Sequence, residues 1–176
     1  MLVACRPLSI ARAMAASARR SAGLIPYRFA GGRVEVLIGH MGGPRWSRRD
    51  QRAWSIIKGE HDEREPALAA ARREFTEETG APVPDGPLLE LGEIRQAGGK
   101  RVAAWALAAE LDAAALHSDS FTMEWPPRSG RQMQFPELDR FEWCDLDTAR
   151  CRLVAAQARL LDELERLLAD SPADRP

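Results

Sequence analysis

The sequence predicts a mixed α/β (α+β) domain, and three observations carry that prediction. Short apolar runs separated by glycine pairs have the pattern of strands and turns. One central stretch sets acidic and apolar residues on separate arcs at helical spacing. The C-terminal part is a long amphipathic segment with regularly spaced leucines.

The elements follow in order. Ser21 to Arg28 and Val34 to Met41 are apolar runs joined at Gly31-Gly32, and they read as paired strands. Met41 to Asp50 is a loop carrying glycines, arginines and Trp46. Trp54 to Lys58 is a short strand that runs directly into Gly59. A helix then begins at Pro66, which suits a first helical position because no backbone donor is needed there. Glu65 precedes it, where negative charge complements the helix N-terminus. Gly80 fits a helix-ending position that requires positive φ. Within this helix Leu68, Ala71 and Phe75 share an arc that faces a core.

Pro82 to Pro87 is a loop. Leu88 to Gln96 and Arg101 to Leu107 flank Gly98-Gly99 and read as a second hairpin. Thr122 to Glu137 contains Pro126, Pro127, Gly130 and Pro136, so it reads mostly as loop. Arg140 to Cys144 is a last strand. Asp147 to Ala169 reads as one long helix, with Leu153, Leu160, Leu164, Leu167 and Leu168 on a core-facing side.

A chain of 176 residues fits one domain with a sizeable core. The expected domain is 21–170, with 171–176 a disordered tail. Residues 1–20 hold four arginines and no acid. They read as a disordered tail, or as an extension upstream of a true start at Met14, ahead of a targeting segment. A net charge of -1 gives no bulk attraction to nucleic acid or anionic membrane. No segment is long and apolar enough to span a bilayer. Cys5, Cys144 and Cys151 have no metal-like spacing and are odd in number, which fits a reducing cytoplasm.

The chemistry concentrates in the central helix. Glu74, Glu77 and Glu78 stand at i, i+3 and i+4, so they share roughly a 100° arc. Close carboxylates repel one another, which raises their proton affinity unless a cation joins them. Oxygen-only ligands favour a hard divalent ion, Mg²⁺ or Mn²⁺. Arg73 stands four residues before Glu77 and can hold that carboxylate in position.

Gly59, Glu65, Arg73, Glu74, Phe75, Glu77, Glu78, Gly80 and Ala81 match the Nudix box position by position. The chain therefore resembles the Nudix hydrolases. Its two apolar slots hold Phe75 and a small Ala81, a departure that affects packing more than chemistry. The resemblance implies the Nudix fold, a mixed β-sheet sandwiched between α-helices. It also implies attack of water on a phosphoanhydride of a nucleoside diphosphate derivative, with Mg²⁺ or Mn²⁺ held by Glu74, Glu77, Glu78 and the Gly59 carbonyl. Arg73 would support those ligands. Glu74 can instead serve as the base, or the base can lie outside the box. There the acids are Glu124, Glu137 and Glu142, of which Glu137 is preferred because it follows Pro136 in an expected loop.

Substrate contacts would come from elsewhere in the chain. Lys58-Gly59 is similar to a Pro-Lys-Gly pattern of relatives acting on dinucleoside and diphosphoinositol polyphosphates, with Ile57 in the proline's place. Lys58 is thus a candidate phosphate contact. Arg45 with Trp46, and Trp125 with Arg128 and Arg131, each combine a stacking aromatic with guanidinium groups. The chain is also similar to an uncharacterised bacterial Nudix subgroup in its Ser-Ala-Gly start, its Gln-Ala-Gly-Gly-Lys turn and its Trp-Pro-Pro-Arg segment. The expected partner is a small-molecule nucleotide, a dinucleoside polyphosphate being the first to test. Damaged nucleoside triphosphates, nucleotide sugars and capped RNA share the chemistry, and the lack of a long basic stretch disfavours RNA. A non-catalytic nucleotide-binding regulator is the alternative from another class. Monomer and homodimer both remain open.

Overall fold

The computed structural model describes residues 19–170. The expectations for residues 1–18 and 171–176 lie outside that range. In chain order the strands are β1 (Arg20–Ala30), β2 (Arg33–Met41), β3 (Trp54–Ser55) and β4 (Ile57–His61). Then come α1 (Ala67–Thr79), β5 (Leu88–Arg95), β6 (Arg101–Ala108), β7 (Ser120–Glu124), β8 (Gln132–Pro136) and β9 (Leu138–Asp145). Two helices close the described chain, α2 (Leu146–Arg152) and α3 (Ala158–Asp170).

Seven strands form one mixed sheet in the order β3-β2-β1-β6-β5, with β4 also paired to β1 and β9 to β2. β1 and β6 are parallel, and the other pairs are antiparallel. Gly31 and Gly32 make the tight turn between β1 and β2 with φ of 57° and 77°, a region open to glycine at little steric cost. Alternation along the strands feeds two cores. Ala22, Leu24, Leu37 and Ile57 pack on one face with Ala70, Ala71 and Phe75 of α1. Ile25, Tyr27, Val36 and Ile38 pack on the other face with Leu160, Leu161, Leu164 and Leu168 of α3. The sheet therefore lies between helices, as the box resemblance implied.

Four details correct the sequence reading. Thr122 to Glu137 is not mostly loop, because β7 and β8 form a separate two-stranded hairpin pairing Phe121 with Phe135 and Met123 with Met133. The prolines mark its turn and its end, while Phe-Thr-Met and Met-Gln-Phe on either side carry the period of two. The expected long C-terminal helix is broken. Leu153 and Val154 are extended (ψ of 150° and 130°), because Val154 N–H donates to the Trp54 carbonyl at 2.9 Å and Leu153 bridges to Trp54. Pairing to a strand edge there outweighs helical continuity, so Leu153 is a core residue outside α3. Finally, the short strand after Asp50 is split at Ile56 into β3 and β4, and Pro66 stands just before the first turn of α1.

Candidate active site

α1 is laid across β1 and β4 by its apolar face, with Phe75 fully buried. That fixes what its acidic arc meets. Gly80 ends the helix in the left-handed region at φ 67°, its N–H bonded to the Thr76 carbonyl at 2.9 Å. Glu74 and Glu78 sink against the sheet, 8% and 6% exposed, while Glu77 stays at the surface. One helical arc is thus split by depth.

Arg73 gathers the acids around it. It forms a two-pronged pair with Glu65, with Nε and a terminal nitrogen each 2.9 Å from a carboxylate oxygen. Its other terminal nitrogen donates to Glu74 at 2.7 Å and to Glu77 at 2.8 Å. The bond to Glu65 leads in raising the Arg73 pKa, and Arg73 in turn holds the Glu65 carboxyl below its ordinary value. The sequence spacing foresaw only the pair with Glu77; the two-pronged grip on Glu65 depends on the loop before α1.

Gly59 lies directly beneath Glu74. A Cβ at Gly59 would overlap the Glu74 carboxyl group, so only glycine admits this approach. One residue earlier, Lys58 N–H donates to Glu78 Oε2 at 2.9 Å. Burial pushes Glu78 up to about 8, against the opposing charge and N–H of Lys58. Burial also raises Glu74, against its bond to Arg73, and lowers Lys58, against its attraction to Glu78. The charge of Glu137 adds to the upward push on both Glu74 and Glu78.

Beside these groups lies a cavity of about 270 Å³, lined by Met41, Gly42, Trp46, Ser55, Lys58, Glu78, Phe121, Glu137 and Leu138. Of the three acids outside the helix, Glu137 is the one at this cavity. Glu124 accepts from Gly130 N–H at 2.9 Å in the β7–β8 turn. Glu142 is paired with Arg152 at 2.6 Å and with Arg140. Trp46 also lines the cavity, while its neighbour Arg45 is exposed. Trp125, Arg128 and Arg131 sit at the far end of the β7–β8 hairpin and do not line it. Ser55 and Phe121 were missed by the sequence reading. Phe121 would have followed from recognising β7 as a strand, but nothing local marks Ser55.

A larger cleft, about 890 Å³, opens at the other end of β2 between Phe29, Val34, Leu146 and Leu168. Its acids are already engaged. Asp145 caps α2 through Thr148 N–H at 2.8 Å, and Asp147 and Glu165 pair with Arg150. The box glutamate Glu78 lines the smaller cavity and not this cleft.

The groups around that smaller cavity fit a hard divalent cation. Two buried carboxylates that resist ionisation, a third acid nearby and a glycine backbone offer an oxygen-only set of ligands. Among the described residues no three acids form a ready-made cage, and Arg73 bridges Glu74 and Glu77.

Comparison with known proteins agrees with this fold. The family profile described as "NUDIX domain" matches residues 17–164. A C. elegans Ap4A hydrolase in a binary complex is similar in structure, with TM-score 0.59 and 23% identity, covering 87% of this chain and 99% of that one. The NUDIX domain of Shewanella oneidensis NrtR, complexed with ADP ribose, has TM-score 0.59 and 14% identity, covering 86% and 89%. The E. coli ORF135 protein has TM-score 0.57 and 20% identity, covering 90% and 97%. Comparison with curated protein sequences found no match. These structural likenesses establish the fold, and with a family profile spanning most of the chain and the full box in place, this chain belongs to the Nudix hydrolase family.

Proposed function

We propose that this protein is a divalent-cation-dependent pyrophosphohydrolase that cleaves a phosphoanhydride in a nucleoside diphosphate derivative. A dinucleoside polyphosphate is the first substrate to test. The observation that carries the reading is the packing of Glu74 and Glu78 against Gly59 and Lys58 at the rim of a cavity that Glu137 also lines. Glu74, Glu77 and Glu78, with the Gly59 carbonyl, would hold Mg²⁺ or Mn²⁺. A bound divalent ion supplies neutralisation of phosphate charge and a more acidic water.

The chain's own groups do the rest. Lys58 places a cation at the cavity wall, suited to a non-bridging phosphate oxygen. Glu137 is exposed at the cavity mouth, where its carboxylate can accept a proton from an attacking water. Trp46 offers an aromatic wall for a base, with Arg45 at its flank, and Trp125, Arg128 and Arg131 are held on the hairpin for the distal part of a long substrate. Arg73 holds Glu74 and Glu77 in reach of one another and keeps Glu65 as its anchor. The likeness to an Ap4A hydrolase is one reason to begin with dinucleoside polyphosphates, and the likeness to a domain complexed with ADP ribose puts nucleoside diphosphate sugars in the same panel. We place the protein in the cytoplasm. Cys144 and Cys151 are free, and no helix among the described residues is long and apolar enough to cross a membrane.

The test is a substrate panel with Mg²⁺ or Mn²⁺, products identified by mass spectrometry, repeated after chelation. Hydrolysis that disappears with chelator and returns with the ion supports the reading. Nucleotide binding without hydrolysis of any member would refute it and favour a regulator.

A further inference from the structure

The strand that carries Lys58 and Gly59 changes ladders on its way into the site. Trp54 and Ser55 pair with His40 and Gly39 of β2, whereas Ile57 to His61 pair with β1. Ile56, at the crossing, belongs to neither ladder and is fully buried. A buried amide left without an acceptor there would be costly.

Gln157 supplies the missing partner. Its Oε1 accepts from Ile56 N–H at 2.9 Å, and its Nε2 donates to Ser55 Oγ at 3.1 Å. Ser55 Oγ donates in turn to the Ile56 carbonyl at 2.8 Å, which closes a ring of three bonds around the crossing. Gln157 is itself fully buried. Its place is set by the extended Leu153–Val154 segment docked along Trp54. Two residues past Ile56, Lys58 N–H meets Glu78, and one further on the Gly59 backbone meets Glu74.

We infer that Gln157 is a positioning residue of the candidate active site, pinning the Ile56 peptide so that Lys58 N–H and Gly59 stand at the right depth beneath Glu78 and Glu74. The amide accepts from Ile56 with its oxygen and donates to Ser55 with its nitrogen. A leucine of similar bulk does neither, and a carboxylate keeps the acceptor alone. The inference rests on the proposed hydrolase reading for its activity readout, and two other readouts are independent of it.

The experiment compares Gln157→Leu, Gln157→Glu and Ser55→Ala with the wild-type chain. Three quantities are read: Mn²⁺ affinity by electron paramagnetic resonance, amide hydrogen exchange at Lys58 in the ion-free protein, and kcat and KM per folded molecule. The expected result for Gln157→Leu is Mn²⁺ binding weaker by about 10- to 100-fold, the range for groups that orient metal ligands. Lys58 exchange quickens, and kcat falls more than KM changes. Gln157→Glu recovers part of each loss. Ser55→Ala adds nothing further in the Gln157→Leu background, since the two act as one unit. If Gln157→Leu does not fold, Gln157→Glu and Ser55→Ala carry the same readings at smaller amplitude. Wild-type Mn²⁺ affinity and wild-type Lys58 exchange in the folded variants would overturn the inference, whatever their melting temperature. Loss of Mn²⁺ binding in the variants, with no hydrolysis even by the wild type, would sink the hydrolase reading and leave the positioning role standing.

Discussion

Gly59→Ala adds one methyl group, and the structure says where it lands. The new Cβ overlaps the carboxyl group at the end of the Glu74 side chain, so that carboxyl group must move. Gly59 cannot back away freely, because it is paired with Ala22 in the β1–β4 ladder. Glu74 is held from the other side by Arg73 at 2.7 Å. The side chain must therefore swing out by an ångström or more and give up part of its place at the site. Overpacking a filled position costs about 1–3 kcal/mol of stability. Displacing a reacting or ligating group by about 1 Å costs about 100-fold in turnover. The expected variant is folded, melts several degrees lower, and turns over about 100-fold more slowly at saturating substrate. Steady-state kinetics beside a thermal melt measure both. A well-folded Gly59→Ala protein with kcat within about threefold of wild type would show that the contact of Gly59 with Glu74 is not part of the reacting geometry, and the site would need to be redrawn.

Other expectations follow from the same groups. Glu78 has a folded value of about 8 against an ordinary 4.5, so its ionisation is opposed in the folded chain and free in the unfolded one. Its stabilising contribution is fully present below about pH 4.5 and is lost as pH rises through about 8, so the melting temperature of ion-free protein should fall between about pH 4.5 and pH 8. Glu78→Gln should flatten that slope, and an unchanged slope would contradict the buried placement. Glu137→Gln should lower kcat by about 100-fold or more, while Glu142→Gln, whose carboxylate is taken up by Arg152 and Arg140, stays within about threefold. The reverse pattern would move the base to β9. Lys58→Met should raise KM for a polyphosphate substrate by about tenfold, through loss of one charged contact. A KM that stays put would mean Lys58 faces no phosphate.

The central helix was legible almost whole. Its stop at Gly80, the core places of Ala71 and Phe75 (though not of Leu68) and its three acids are encoded by neighbours within a few turns, and the spacing from Gly59 to Ala81 identifies the family. The β1–β2 and β5–β6 hairpins were legible for the same reason, since glycine pairs and alternating residues act locally. The β7–β8 hairpin was obscured because prolines at its turn and end outweighed two short alternating runs on either side.

What the sequence by itself determined is the inventory of the site: three glutamates at helical spacing, an arginine beside them and a glycine ahead of them. Tertiary structure alone decided how those groups differ. Packing of Phe75 on the sheet buried Glu74 and Glu78 and left Glu77 in solvent, and burial raises the proton affinity of the two buried carboxylates. It also chose Glu137 over Glu124 and Glu142 as the acid at the cavity, and it bent the C-terminal segment at Leu153 so that Gln157 could reach the Ile56 peptide. Depth and long-range pairing depend on where distant segments of chain come to rest, and no local spacing encodes that.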